Sequence, residues 1–272
     1  MNLNAEILAY YNRVDEAERL TTRPSLELIR TQVLLDRFLP LPPATVLDVG
    51  GASGVYAGWL AERGYQVHLV DLVPLHVERA AADGRFTAAL GDARDLEVAD
   101  ESYDAVLLLG PLYHLTDRAD RLRALTEARR AVRPGGVVVA AAISRYASTF
   151  DGFFRGYTEK PGFIDLMREA LRSGQHRPDA DARLFTTAYF HDAAGLATEV
   201  EESDLALTAV VPVEGMLHWA PGIADRLADP EQLRLVLDVL AATESDPAML
   251  AATSHLLAIA HRRDGGPTLV YE

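Results

Sequence analysis

The chain has 272 residues, 49% of them hydrophobic, enough for a sizeable core in one large or two small domains. Forty acidic residues against 26 basic ones give a net charge of −14, which repels phosphate backbones and argues against nucleic acid as a partner. The absence of cysteine removes disulfides, thiolate metal sites, iron–sulfur clusters and cysteine nucleophiles.

The opening "MNLNAEILAYYNRVDEAERL" lacks a basic region followed by an apolar stretch, so no signal peptide is expected. No apolar run reaches the roughly 18 residues a membrane span needs, and the expectation is a cytoplasmic protein with no membrane partner. "NAEILAYYNRVDEAERL" places Ile7, Leu8, Tyr11 and Val14 at helical spacing, and "PSLELIRTQVLLDRFL" starts a second helix at Pro24. Strands and helices then alternate. Strands are predicted at 45–50, 66–71, 86–92, 103–110 and 137–144, with helices at 54–64, 74–84 and 117–132. Gly64 and Gly84 close two of these helices, and "RPGG" stops the third.

This alternation means βαβ units, hence an α/β fold with a parallel sheet and helices on both faces. After Ser144 the rhythm breaks into an aromatic-rich helical insertion. A helix at 191–203, a strand at 205–215, one or two helices in "DPEQLRLVLDVLAATESDPAMLAAT" and a last strand at 255–262 complete the chain. No repeat or long linker divides it. It reads as a single domain: a helical cap (1–40), a core (41–144), an insertion (145–190) and a C-terminal part (191–272).

Ligands of open parallel sheets sit beyond the carboxyl ends of the strands. The first strand ends in Asp48 and the turn Gly50, Gly51, Ala52, Ser53, Gly54, whose small residues allow a ligand close to the backbone. Asp71, 23 residues after Asp48, ends the second strand and is placed to accept hydrogen bonds from ribose hydroxyls. Asp92 follows the third strand and can accept from an exocyclic amine of adenine. A nicotinamide dehydrogenase would need Gly-x-Gly-x-x-Gly, but read from Gly50 the second and third positions are Ala52 and Val55.

In order, "VLDVGGASGVYAGWL", "QVHLVD", "GDARDL", "YDAVLLLGPLYHL" and "VRPGG" resemble the motifs of class I S-adenosylmethionine-dependent methyltransferases. "GPLYHL" together with the early "YY" is similar to a bacterial small-molecule branch acting in natural-product pathways. The resemblance implies a Rossmann-like, seven-stranded, mostly parallel sheet whose last strand is antiparallel, with N-terminal helices and an insertion after strand five. It also implies S-adenosyl-L-methionine as cofactor and a small-molecule acceptor methylated on oxygen, nitrogen or carbon. By the same resemblance Gly50, Gly51, Ala52, Ser53 and Gly54 approach the methionine part, Asp71 and Leu72 the ribose, and Asp92 and Ala93 the adenine. Gly110 and Pro111 lie near the sulfonium, Tyr10 or Tyr11 enters from a closing N-terminal helix, and Arg30 pairs with the cofactor carboxylate. The family has glycine where Ala52 stands; the expectation is that this position needs only a small side chain, not a positive φ.

An acceptor that loses a proton needs a base. His114, His191, Glu214 and His218 are candidates, with Tyr11 beside them, while packing is the alternative role of His114 and helix initiation that of His191. Phe150, Phe153, Phe154, Tyr157 and Phe163, joined by Trp219, are either a helix packing face or the wall of an apolar acceptor pocket. No Asp/Asn-Pro-Pro-Tyr string follows strand four, which argues against methylation of DNA bases. No metal is expected, since no clustered carboxylate set is evident. A homodimer is compatible with the sequence. Two other readings stay open: a protein that binds S-adenosylmethionine without turnover, and the same fold using the sulfonium for another reaction.

Overall fold

A computed structural model of the chain describes residues 3–11, 20–178 and 184–263. Val14 of the first predicted helix lies outside the described residues. Helix α1 spans Leu3–Tyr11 and α2 spans Leu26–Phe38. The latter begins later than Pro24 because Ser25 is its N-cap, the hydroxyl accepting from the Leu28 N–H.

The strands, in chain order, are β1 (Thr45–Val49), β2 (Gln66–Asp71), β3 (Thr87–Leu90), β4 (Tyr103–Leu108), β5 (Val132–Ile143), β6 (Gln175–His176), β7 (Ala188–Tyr189), β8 (Leu205–Pro212) and β9 (His255–Arg262). Seven of them form one sheet in the order β3-β2-β1-β4-β5-β9-β8, and β6 and β7 form a separate short ribbon that sequence patterning does not reveal. β1 to β5 are mutually parallel, while β9 runs antiparallel to both β5 and β8. The expected seven-stranded sheet with an antiparallel last strand is therefore present.

Flanking helices are α3 (Val55–Glu62), α4 (Pro74–Ala81), α5 (Pro111–His114), α6 (Arg118–Ala131), α7 (Ala147–Phe154), α8 (Phe163–Ser173), α9 (Ala193–Glu202), α10 (Ile223–Ala228) and α11 (Pro230–Thr243). Successive strand residues serve opposite faces, so each central strand supplies two cores. Leu47, Val49, Val106 and Leu108 pack with Leu125 and Ala128 of α6 and with Leu196 and Val200 of α9. On the other face Val46, Leu69, Ala105 and Leu107 pack with Leu34 and Leu35 of α2 and with Ala57 and Leu60 of α3. That is why "TVLDV" and "YDAVLL" read as continuous apolar runs rather than alternating ones.

The "RPGG" segment does not separate helix from strand as expected. β5 begins at Val132, directly after α6, and the register against β4 shifts between Tyr103 and Ala105. Gly135 takes φ +74° within this irregularity, and a Cβ on Gly136 would stand 2.8 Å from the Asp104 carbonyl oxygen. Glycine here lets a bulged strand stay paired.

The arrangement fixes where a ligand can enter. Strand order reverses at β1, whose neighbours are β2 on one side and β4 on the other, and a crevice opens beyond their carboxyl ends. Because β9 is antiparallel, its first residue, His255, pairs with Ile143 at the end of β5 and so reaches this same edge. Among the described residues, no helix is long and apolar enough to cross a membrane.

Candidate active site

A cavity occupies the crevice. Its walls come from α1 (Ile7, Tyr11), α2 (Glu27, Thr31), the segments after β1 to β4, and the ends of β5, β8 and β9. Of the predicted residues, Tyr11, Gly50, Gly51, Ala52, Asp71, Leu72, Asp92, Ala93, Gly110, Pro111 and His114 line it.

The loop after β1 folds tightly against its surroundings. A Cβ on Gly50 would stand 2.7 Å from the Pro111 ring, and one on Gly51 would stand 2.5 Å from a carboxylate oxygen of Asp48. Neither position accepts a side chain without displacing the floor of the cavity. Ala52 corrects the expectation: it adopts φ +50°, a left-handed conformation, and is not merely a small residue on a cavity wall. This conformation lets its N–H donate to Asp71 Oδ2 at 2.9 Å, tying the loop to the end of β2. Gly54, at φ +90°, and Ser53 are not part of the wall; a Cβ on Gly54 would meet the Phe86 ring at 2.4 Å, so its role is packing.

Asp71 is buried and already well supplied with donors. Besides Ala52, the Val73 N–H donates to Oδ1 at 2.8 Å, and His76 Nδ1 lies 3.1 Å from the same oxygen. A carboxylate has about four lone-pair sites, so room for roughly one more donor remains, on Oδ2. Asp92 lines the cavity and also clamps Arg94, whose backbone N–H and Nε donate to Oδ1 at 3.0 and 2.9 Å. Beneath the loop, Asp48 is fully buried and, among the described residues, neither of its oxygens has a hydrogen-bond partner. Burial, reinforced by the charge of Asp71, raises its carboxyl to about 7.

His114 sits in α5 with Nε2 2.7 Å from the Tyr11 hydroxyl, which closes α1 over the cavity. Burial outweighs the attraction of Asp71 and pushes His114 down to about 4. At neutral pH it is an uncharged imidazole and a weak base. Tyr10 points elsewhere, its ring meeting those of Tyr11 and Phe185 edge-on at 5.1 and 5.6 Å.

Several expected site residues lie outside the cavity. Arg30 is buried and pairs with Glu244 at the end of α11, not with a group in the crevice. Helix α2 turns its Arg30 face to α11 and its Glu27 and Thr31 face to the cavity, a distinction that spacing alone does not make. His191 is buried with Nε2 3.1 Å from Glu199, which also holds Arg121 at 2.7 Å; this group joins α6 to α9 behind the sheet edge. His218 takes a contact of 2.7 Å from Arg155 on Nε2, so that lone pair is not available to a substrate. The aromatic insertion is a surface and packing feature. Phe153 and Phe154 are 69% and 57% exposed, Phe150 and Phe154 face Trp219, and Tyr157 meets Phe163, none of them in the cavity wall.

Glu214 is fully buried just beyond β8, where its two oxygens receive His255 and Thr253. Sequence reasoning did not single out His255, Glu27, His76 or Tyr113, all of which line the cavity. For His255 a signal existed: an antiparallel final strand must begin at the ligand edge. Glu27, Glu214 and His255 each offer a ligand atom, all within 4.8 Å of one another, a cluster not foreseen from spacing.

The residues present fit an adenosyl cofactor. Asp71 keeps one acceptor site for a ribose hydroxyl, Val49, Leu72 and Val73 provide apolar walls, and the tight loop allows close approach to the backbone. The family described as Methyltransferase domain matches residues 47–140. An uncharacterised methyltransferase of Mycobacterium bovis is 40% identical over 104 residues, 38% of this chain and 41% of the relative. Another, from Mycobacterium sp. (strain JLS), is 33% identical over 171 residues, 62% of this chain and 64% of the relative. The chain thus spans less than two thirds of the length of these relatives. The N-methyltransferase NodS of Bradyrhizobium japonicum, solved with S-adenosyl-L-homocysteine, superposes with a TM-score of 0.55 at 17% identity, covering 96% of this chain and 99% of that one. Residues 47–140 accordingly match a methyltransferase domain, set in the fold that solved S-adenosylmethionine-dependent methyltransferases share.

Proposed function

We propose that the chain binds S-adenosyl-L-methionine in this cavity and transfers its methyl group to a small molecule. The observation that carries this reading is one cavity lined from both sides of the point where strand order reverses: the 50–52 loop, Asp71 and Ala93 from the side of β1 to β3, and the apolar side chains of Leu109, Ala141, Val213 and Leu257 from the side of β4, β5, β8 and β9. Those apolar side chains suit a compact, uncharged acceptor body, and the net charge of −14 disfavours a polyanionic one.

When bound, the cofactor supplies an activated methyl group on a sulfonium with a good leaving group. The chain's residues bind and orient. Asp71 takes a ribose hydroxyl, Gly110 and Pro111 line the cavity just after β4, and Tyr11 with His114 shields the site from water. Natural-product metabolism is the setting that the resemblance of "GPLYHL" suggests. Calorimetric titration with S-adenosylmethionine and S-adenosylhomocysteine, followed by incubation with methyl-labelled cofactor and an acceptor panel, tests the proposal. Binding of both with label transfer is expected; binding without transfer to any acceptor would leave a cofactor-binding protein instead.

A further inference from the structure

Asp71 has fewer open acceptor sites than a ribose has hydroxyls. Its Oδ1 receives the Val73 N–H at 2.8 Å and lies 3.1 Å from His76 Nδ1, and its Oδ2 receives the Ala52 N–H at 2.9 Å. With about two lone pairs on each oxygen, Oδ1 is filled and Oδ2 can accept once more. The 2′- and 3′-hydroxyls of an adenosyl group are two donors on adjacent carbons. One of them needs another partner.

His76 is placed to be that partner. It is the third residue of α4, which Pro74 starts shortly after β2, and its ring turns back onto Asp71. The side chain is only 5% exposed, yet it belongs to the cavity wall, and the Tyr11 ring meets it edge-on at 5.2 Å. Nδ1 is committed to Asp71, which leaves Nε2. Among the described residues Nε2 has no hydrogen-bond partner, and it is not sealed from open space as both ring nitrogens of His176 are. A polar ring atom in a cavity wall is matched when a ligand brings a hydroxyl to it, and is left unmatched when the ligand brings carbon.

We propose that Asp71 and His76 divide the two ribose hydroxyls of the cofactor between them, which makes His76 a residue that determines cofactor specificity. The inference rests on the S-adenosylmethionine reading above. Asp71 Oδ2 accepts from one hydroxyl. His76 Nε2 bonds the other, as an acceptor when the imidazole is neutral and as a donor to the hydroxyl oxygen when it is charged. The Nδ1 contact holds the ring against Asp71, and the Ala52 and Val73 N–H groups fix the carboxylate, so the pair is organised before the ligand arrives. A site built to bond two hydroxyls discriminates against a ligand that lacks either one.

Calorimetric titration of the full chain with S-adenosylhomocysteine and with its 2′-deoxy and 3′-deoxy analogues tests this. Wild type should bind each analogue about 10-fold more weakly than the parent compound. His76→Phe keeps a ring against Tyr11 and removes both nitrogens. It should bind S-adenosylhomocysteine about 10-fold more weakly than wild type, and one of the two analogues no worse than that, within about twofold. The other analogue should still lose about 10-fold, and Asp71→Asn should show the opposite choice of analogue. A second measurement uses the wild-type fold. In ¹⁵N-histidine spectra the His76 Nε2 resonance, assigned by its absence from His76→Gln, should shift when S-adenosylhomocysteine is added. It should respond far less to the analogue that His76→Phe does not distinguish from the parent. If His76→Phe weakens all three ligands alike, His76 only supports Asp71 and the proposal is overturned. A wild type indifferent to both missing hydroxyls would also overturn it, as would one variant that loses discrimination against both analogues, or an Nε2 resonance unmoved by S-adenosylhomocysteine. Absence of binding of all three ligands to wild type would instead overturn the parent reading.

Discussion

Ala52 and Asp48 show how two residues in one turn carry opposite liabilities. An L-residue in the left-handed region costs about 1 kcal/mol or somewhat more, and Ala52 bears it to place its N–H on Asp71. Glycine would relieve that crowding but add unfolded-chain entropy of similar size, so Ala52→Gly should be nearly neutral. Ala52→Val, β-branched in the same conformation, should destabilise the protein by about 1–2 kcal/mol in urea titrations and weaken cofactor binding. At Asp48 the sign of the pH dependence follows from burial. The folded carboxyl holds its proton up to about 7, the unfolded one releases it near 3.8, so stability falls as pH rises between those values. Asp48→Asn stays neutral throughout. Its stability relative to wild type should therefore grow from pH 4 to pH 7, by a few kcal/mol, and level off above; a flat difference across that range would show that Asp48 is ionised throughout.

At the scale of elements, α2 serves two neighbours at once. Its Glu27 and Thr31 face the cavity, while Arg30 is buried against Glu244 at the end of α11, which Arg37 also contacts. Breaking a buried pair by removing one partner strands the other charge, although Glu244 keeps Arg37 and some solvent. Arg30→Met should lower stability by about 2–3 kcal/mol in chemical denaturation and leave the S-adenosylmethionine Kd within about twofold. A tenfold loss of affinity would restore Arg30 to the cofactor. The Arg121–Glu199–His191 group performs a similar joining task between α6 and α9, which explains why His191, well placed at a helix start in the sequence, has no access to the cavity. Strand existence and order of type were readable from apolar runs. The strand character of "RPGG" was not, because a bulge held by Gly135 and Gly136 has the same local signature as a turn.

For the whole molecule, the cavity draws walls from α1, α2 and the edges of most sheet strands, so occupancy ties together segments far apart in the chain. S-adenosylhomocysteine at 100 times its Kd should add about 2.7 kcal/mol and raise the melting temperature by about 5 °C or more. Tyr11→Phe, which removes the hydroxyl that meets His114, should reduce that rise; an unchanged rise would mean that α1 does not close the site. The sequence by itself determined the βαβ rhythm, the class of sheet and the cavity-lining residues Gly50, Gly51, Asp71, Leu72, Asp92, Ala93, Gly110 and Pro111. Those positions follow their own strands by a few residues, and period and turn chemistry are local properties. Tertiary structure alone decided the cavity wall on the side of β5, β9 and β8. Glu27, Glu214 and His255 are separated by nearly the whole chain and meet only because β9 inserts antiparallel between β5 and β8, delivering its first residue to the ligand edge. It also removed Arg30, His191 and His218 from the site, since their nearest partners come from elements no local pattern identifies.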